Sequence, residues 1–224
     1  MTKKNLIVEE LVKKQAYSNL KVPNYNKIKF EINKLLNSEQ KNAVEKINVS
    51  IKKKKPDCFL LDGVPGSGKT ETYFQTVKTC LDEGKQILIL LPEISLTPDW
   101  EKRFHQSFSF APLVWHSGIT KTKKKQIWLS ALNSSAGVIV GARSALMLPI
   151  LNLGLIIVDE EHDPAFKQEE GVRYNARDMA IYKAIRSSVP IVLASATPSL
   201  ETYHNMKIGK SVSYTHLRAH ETDI

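Results

Sequence analysis

Apolar and polar positions change over in blocks along most of the chain. Short apolar runs at 58–61, 86–91, 112–115, 137–140, 154–158 and 190–194 read as strands. Between them, 69–82, 95–107, 120–133 and 175–188 carry apolar residues at helical spacing. Strands alternating with helices predict crossover units, and so a doubly wound α/β domain: a mostly parallel sheet with helices on both faces. No internal repeat is present.

The two ends differ in character from this middle. Residues 1–35 are rich in Lys and Asn, with one short helical pattern at Leu6, Ile7, Leu11 and Val12. They are expected to be the remnant of an N-terminal region or linker, with the domain proper at 36–210. From 211 the chain reads SVSYTHLRAHETDI, without a turn signal or an apolar face. That string resembles translated sequencing-adaptor read-through, so 211–224 is expected to be a non-native tail outside the fold. His216 and His220 have the spacing of a helical metal pair, but no third ligand accompanies them.

Composition narrows the class. A length of 224 residues allows one sizeable core, and 42% hydrophobic residues are ordinary for a soluble protein. No apolar run approaches a membrane span, and the start lacks a secretory pattern, so a cytoplasmic protein without a membrane partner is expected. Cys58 and Cys80 are the two cysteines. Far apart and set in apolar or helical patterns, they read as buried, inert thiols rather than a disulfide or zinc framework. The net charge of +9 permits a polyanionic partner, but most of the basic residues are lysines, as in a compositionally biased genome.

The first chemistry-bearing motif is GVPGSGKT at 63–70, which follows one apolar run and opens a helical one. Gly63, Gly66 and Gly68 allow the backbone to turn tightly around Val64, Pro65 and Ser67 and to point amide N–H groups inward. The positive end of the following helix adds to this phosphate cradle. Lys69 is placed for the β/γ-phosphates of ATP, and Thr70 for Mg2+.

A second motif decides more. GLIIVDEEH at 154–162 is an apolar run that ends in acids. On one edge of a parallel sheet, Asp159 can face the magnesium of the cradle. Glu160 is then placed to orient and deprotonate a water. Together the two motifs point to hydrolysis of a nucleoside triphosphate.

In their order, GVPGSGKT, DEEH (159–162) and SATPS (195–199) resemble motifs I, II and III of superfamily 2 helicases and translocases. Longer strings are similar to the primosomal replication-restart DNA helicases: GVPGSGKTETY, LPEISLTPDW, WHSG, GARSALMLP, DEEHDPAFKQEEGVRYNARDMA and SATPSLET. The resemblance covers roughly 36–209. It implies a RecA-like ATP-binding lobe that uses ATP and Mg2+ and acts on single-stranded or forked DNA. Other primosome and single-strand-binding proteins are the partners it implies. The family's second motor lobe, with an arginine finger and zinc-binding cysteines, has no counterpart in this sequence. The expectation is therefore a lobe without zinc that binds nucleotide and turns it over slowly on its own. Another superfamily 2 translocase, RecG-like or restriction-type, and an idle nucleotide-binding module stay open.

The resemblance also implies individual roles. Gln40, in LNSEQKNAVEKI, is similar to the glutamine that reads adenine, since an amide offers one donor and one acceptor to its N6/N7 edge. Ser95 and Thr97 match a segment that holds DNA phosphates without reading bases, and Arg143 of GARS matches the next such contact. Residues 166–174 resemble an aromatic-rich loop coupling DNA to the ATP site, with Phe166, Lys167, Arg173 and Tyr174 as stacking and cationic groups. Ser195 and Thr197 are implied to link the two sites, with His162 as relay.

Overall fold

The computed structural model describes residues 29–31, 35–209 and 212–214. Helix α1 (Ser38–Lys53) leads into strand β1 (Cys58–Asp62), helix α2 (Lys69–Asp82) and strand β2 (Gln86–Leu90). Then follow α3 (Pro98–Phe108), β3 (Leu113–Trp115), α4 (Lys121–Leu132), β4 (Val138–Gly141) and β5 (Leu153–Asp159). A short hairpin, β6 (Lys167–Gln168) and β7 (Tyr174–Asn175), precedes α5 (Ala176–Ser187), β8 (Ile191–Ser195), α6 (Leu200–Lys207) and β9 (Val212–Tyr214). The main sheet runs β3-β4-β2-β5-β8-β1-β9, and every pairing in it is parallel. The doubly wound α/β fold expected from the sequence is the fold observed.

Two buried clusters flank the sheet, and strand residues alternate between them as the pleat requires. Phe59, Leu61, Ile87, Ile89, Val192 and Ala194 join the side chains of α1, α2 and α3. Leu60, Leu88, Ile156, Val158 and Leu193 face the other way, onto α4 and α5. Phe74 of α2 is the centre of an aromatic group, with ring centroids 6.0 Å from Trp100, 5.5 Å from Phe104 and 5.3 Å from Phe108. Such edge-on pairs stabilise by about 0.5–1.5 kcal/mol each beyond area burial. They fix α3 against α2, which matters for the site below. Cys80 is buried in this cluster, where desolvation pushes its thiol pKa well up, as an inert thiol requires.

Both expected domain edges need adjustment. Phe30, upstream of residue 36, packs on Phe108 at 4.9 Å, and the Glu31 N–H donates to Ser107 O at 3.0 Å. At the other end, Val212–Tyr214 pairs with Phe59, Leu60 and Leu61 of β1. The expectation that everything after 210 lies outside the fold is corrected to that extent. Without β9, strand β1 would present an unpaired row of N–H and C=O groups, which recruits any short β-branched or aromatic segment within reach. Residues 1–28, including the pattern at Leu6, Ile7, Leu11 and Val12, and the His216/His220 pair lie outside the described residues. Among the described residues, no helix is long and apolar enough to cross a membrane.

Candidate nucleotide site and strand-contact edge

The C-terminal ends of the parallel strands share one edge of the sheet, and the motif residues gather there. The loop after β1 is closed by Ser67 N–H donating to Val64 O at 3.1 Å. Gly66 and Gly68 have φ of +78° and +83°, a region that side chains disfavour. At 68 a Cβ would also sit 2.6 Å from Gln40 Nε2. Val64, Pro65 and Gly66 form the exposed rim, while Ser67 is buried and its hydroxyl has no partner. Lys69 opens α2 but folds back over the loop, donating to Gly63 O at 2.6 Å and Val64 O at 3.2 Å. Its ammonium thus occupies the mouth of the cradle, held by carbonyls that a phosphate would replace.

Gln40 lies beside the loop and is bonded on both sides within the protein. Its Oε1 accepts the Asn37 N–H at 2.8 Å, and Asn37 Oδ1 accepts the Gln40 N–H at 2.8 Å, a reciprocal box that starts α1. Its Nε2 donates to Ser67 O at 2.7 Å. Both ends of the amide are engaged within the protein, each with one further lone pair or hydrogen that a base could use. What Gln40 does here is tie α1 to the phosphate loop.

Asp159 and the cradle do not lie on neighbouring strands, because β8 runs between β5 and β1. The gap is bridged from α2: the buried Tyr73 hydroxyl donates to Asp159 Oδ2 at 2.9 Å. The other oxygen, Oδ1, accepts the Glu160 N–H at 3.1 Å. Burial raises the Asp159 pKa to about 6; the Tyr73 hydrogen bond opposes this, the Glu160 charge adds to it, and Lys69 opposes it. Burial also pushes the Tyr73 hydroxyl well up, so it stays a donor. Glu160 has φ of 50°, a conformation that a residue with a side chain keeps only where its surroundings impose it. Its carboxylate is 39% exposed, open to a water on the solvent side.

The rest of DEEH and SATPS form two hydrogen-bonded groups. Ser195 Oγ is 2.7 Å from His162 Nδ1 and accepts the Thr197 N–H at 3.0 Å, so these three sit together. Glu161 is buried beneath them. Its Oε1 accepts the Ser199 N–H at 2.7 Å, and its Oε2 accepts from Thr202 Oγ1 at 2.9 Å and Arg177 at 3.2 Å.

Thr97 caps α3, its hydroxyl accepting the Trp100 N–H at 3.3 Å, and the half-buried Ser95 closes a short 3-10 turn on Pro92 O. Arg143 opens the turn after β4, and its guanidinium donates to the Lys167 carbonyl. Arg143, Pro92, Glu93 and Phe166 border a cleft of about 90 Å3 on this edge. The segment 166–174 departs from its reading as a loop with Phe166 as a stacking surface. Phe166 is a core residue, 1% exposed, and 167–175 fold as the β6–β7 hairpin. An aromatic ring beside the apolar ends of β5 and α5 gains more from burial than from exposure. Lys167 and Arg173 are exposed and Tyr174 is half-buried, all on the hairpin.

Tyr73, Trp100, Glu161, Arg177 and Ser199 carried no role in the sequence reading. Each lies inside a string that bears the family resemblance, which is the signal that could have marked them. Partners distant in sequence could not be paired from spacing alone.

These residues and this sheet match the model of the family described as "DEAD/DEAH box helicase" over residues 37–206, and the chain belongs to that family. More narrowly, 175 residues are 50% identical to the replication restart protein PriA of Rickettsia conorii, and 174 are 44% identical to PriA of Bacillus subtilis. Each match covers 78% of this chain but only 26% and 22% of those proteins, so the chain spans about a quarter of its relatives' length. Among solved structures, RecG bound to a three-way DNA junction superposes with a TM-score of 0.60 at 23% identity, covering 93% of this chain and 28% of that one. The Pyrococcus furiosus Hef helicase domain gives 0.52 at 18% identity, covering 77% and 37%. These two likenesses speak to the fold alone, a RecA-like parallel sheet with helices on both faces.

Proposed function

We propose that this chain is the ATP-binding motor lobe of an ATP-dependent DNA helicase of the replication-restart type. The observation that carries the reading is Lys69, held by the Gly63 and Val64 carbonyls at the mouth of the cradle and near enough to Asp159 for its charge to oppose the rise in that carboxyl's pKa. The similarity to PriA proteins supports replication restart, and with it DNA as substrate and other replication proteins as partners.

The donor set fits magnesium. Thr70 offers a hydroxyl and Asp159 a carboxylate, and a hard cation that keeps its waters and shares phosphate oxygens needs few protein ligands. The orphaned Ser67 hydroxyl adds an unsatisfied polar group facing the same loop. When bound, Mg2+ would neutralise charge developing on the transferred phosphoryl group. Lys69 exchanges carbonyls for β/γ-phosphate oxygens, and the loop amides orient the chain of phosphates. Glu160 orients a water and takes its proton. Glu161 cannot share that role, since its side chain is fully buried and bonded to Ser199, Thr202 and Arg177. Ser95, Thr97 and Arg143 would hold strand phosphates, and Lys167 with Tyr174 would sense the strand from the hairpin.

The test is ATPase rate with and without single-stranded DNA, on this chain and on the chain extended through a second lobe. The extended protein should show stimulation that Glu160→Gln abolishes while ATP binding persists, because general-base help is worth about 10²–10⁴-fold. Stimulated turnover surviving Glu160→Gln would remove Glu160 as the base.

A further inference from the structure

The strongest unexplained feature of the core is a buried line of polar contacts joining the start of α3 to the acid at the end of β5. The Tyr73 hydroxyl lies within the aromatic cluster of α2 and α3, fully buried. It donates to Asp159 Oδ2 at 2.9 Å and accepts from Trp100 Nε1 at 3.3 Å. Trp100 in turn donates its backbone N–H to the Thr97 hydroxyl that caps α3. Its indole is clamped, stacked on Phe104 at 5.5 Å and edge-on to Phe74 at 6.0 Å. A phenylalanine at 73 would pack equally well and spare the cost of burying a hydroxyl. A tyrosine that is satisfied at both ends, one of them a carboxylate, therefore points to a role for the hydroxyl beyond packing.

We propose that Tyr73 is a positioning residue for Asp159, and that Trp100 connects it to the Thr97-capped start of α3. With Oδ1 held by the Glu160 amide and Oδ2 by Tyr73, the carboxylate plane is fixed. Partners of this kind orient a ligating group and typically change metal affinity about 10–100-fold when removed. A shift of the α3 start moves the Trp100 indole, whose clamped ring transmits the shift to the Tyr73 hydroxyl. A strand phosphate at Thr97 and a cation at Asp159 are then coupled through two side chains, without passage through the hairpin or the Ser195–His162 pair. This deepens the motor-lobe reading and rests on it.

The experiment uses the whole chain carrying Trp115→Phe and Trp128→Phe, which leaves Trp100 as its one tryptophan. Fluorescent ADP is titrated with and without Mg2+, and Trp100 emission is followed as Mg-ADP or a single-stranded oligothymidylate is added. Tyr73→Phe should fold as the parent does by circular dichroism, melting a few degrees lower for the Trp100 Nε1 and Asp159 Oδ2 it leaves unpaired, and bind ADP without Mg2+ within about twofold. It should lose about tenfold of the gain in affinity that Mg2+ confers, together with the Trp100 response to Mg-ADP. Trp100→Phe should keep the Mg2+ gain but lose its dependence on the oligonucleotide. A Tyr73→Phe chain with the full Mg2+ gain and emission response overturns the relay while leaving the cradle standing. Lys69→Ala binding ADP as the parent does would instead sink the cradle, and the relay with it.

Discussion

The Glu161 carboxylate and the Arg177 guanidinium are 3.2 Å apart with 0% and 8% of their side chains exposed, a buried ion pair next in the chain to Asp159 and Glu160. Arg177 also reaches Asp178 at 2.8 Å, and Glu161 holds the Ser199 amide that begins α6. The pair thus joins the end of β5, the start of α5 and the loop after β8. Glu161→Ala should lower unfolding stability by about 1–3 kcal/mol, since it leaves the Ser199 amide and Thr202 hydroxyl unpaired while Arg177 keeps Asp178. Chemical denaturation followed by circular dichroism measures it; a loss under about 1 kcal/mol would mean that solvent reaches these groups readily.

Asp159 makes stability depend on pH. Its pKa is raised from 3.8 to about 6 in the fold, so the folded chain binds the proton more tightly than the unfolded one. Its contribution is therefore fully present below about pH 4 and is lost as pH rises through about 6. Asp159→Asn should stabilise the chain at pH 7.5 by about 1–3 kcal/mol, with the gain vanishing near pH 4. Mg2+-dependent nucleotide binding should move oppositely, weakening below pH 6 as the carboxylate protonates. Melting curves and nucleotide titrations across pH 4–8 check both signs.

Gln40→Ala separates the structural from the base-reading role. Losing the cap and the bond to Ser67 O should cost about 1–3 kcal/mol of stability. It should also weaken ATP and GTP binding alike, through the loop. A loss confined to ATP would show that Gln40 reads adenine.

Strand β9 gives a prediction on the edge of the sheet. Truncation after Gly209 removes the pairing to Phe59, Leu60 and Leu61. It should lower the melting temperature by a few degrees, about 1–2 kcal/mol for a short edge ladder, and leave nucleotide affinity alone. An identical melting temperature would show that the three residues add nothing to the sheet.

The residues differ in how far the sequence exposed them. Helix α2 and strand β5 fall where the pattern predicts, because a strand, a glycine turn and the helix that opens on it are each local. Helix α3 starts at Pro98 rather than 95, since Thr97 is the better cap and Pro98 suits the first turn. Phe166 was misread because an aromatic beside lysines looks the same in sequence whether it stacks on a base or fills a core. The Tyr73–Asp159 and Glu161–Arg177 contacts depend on how crossovers stack, and no spacing rule encodes them. The hairpin and β9 were missed because segments of two or three residues carry no periodicity.

The central claim, that the loop from Gly63 to Thr70 is a nucleotide cradle, rests on Lys69. Its ammonium is held by Gly63 O and Val64 O, and phosphate oxygens should displace them. Lys69→Ala removes that cation while leaving α2 a good helix, so the circular dichroism spectrum should match the parent. The decisive measurement is the titration of both chains with a fluorescent ATP analogue in Mg2+. The account predicts a loss of about 10–100-fold in affinity, the worth of a charge-assisted contact. Equal affinity in the two chains would contradict it.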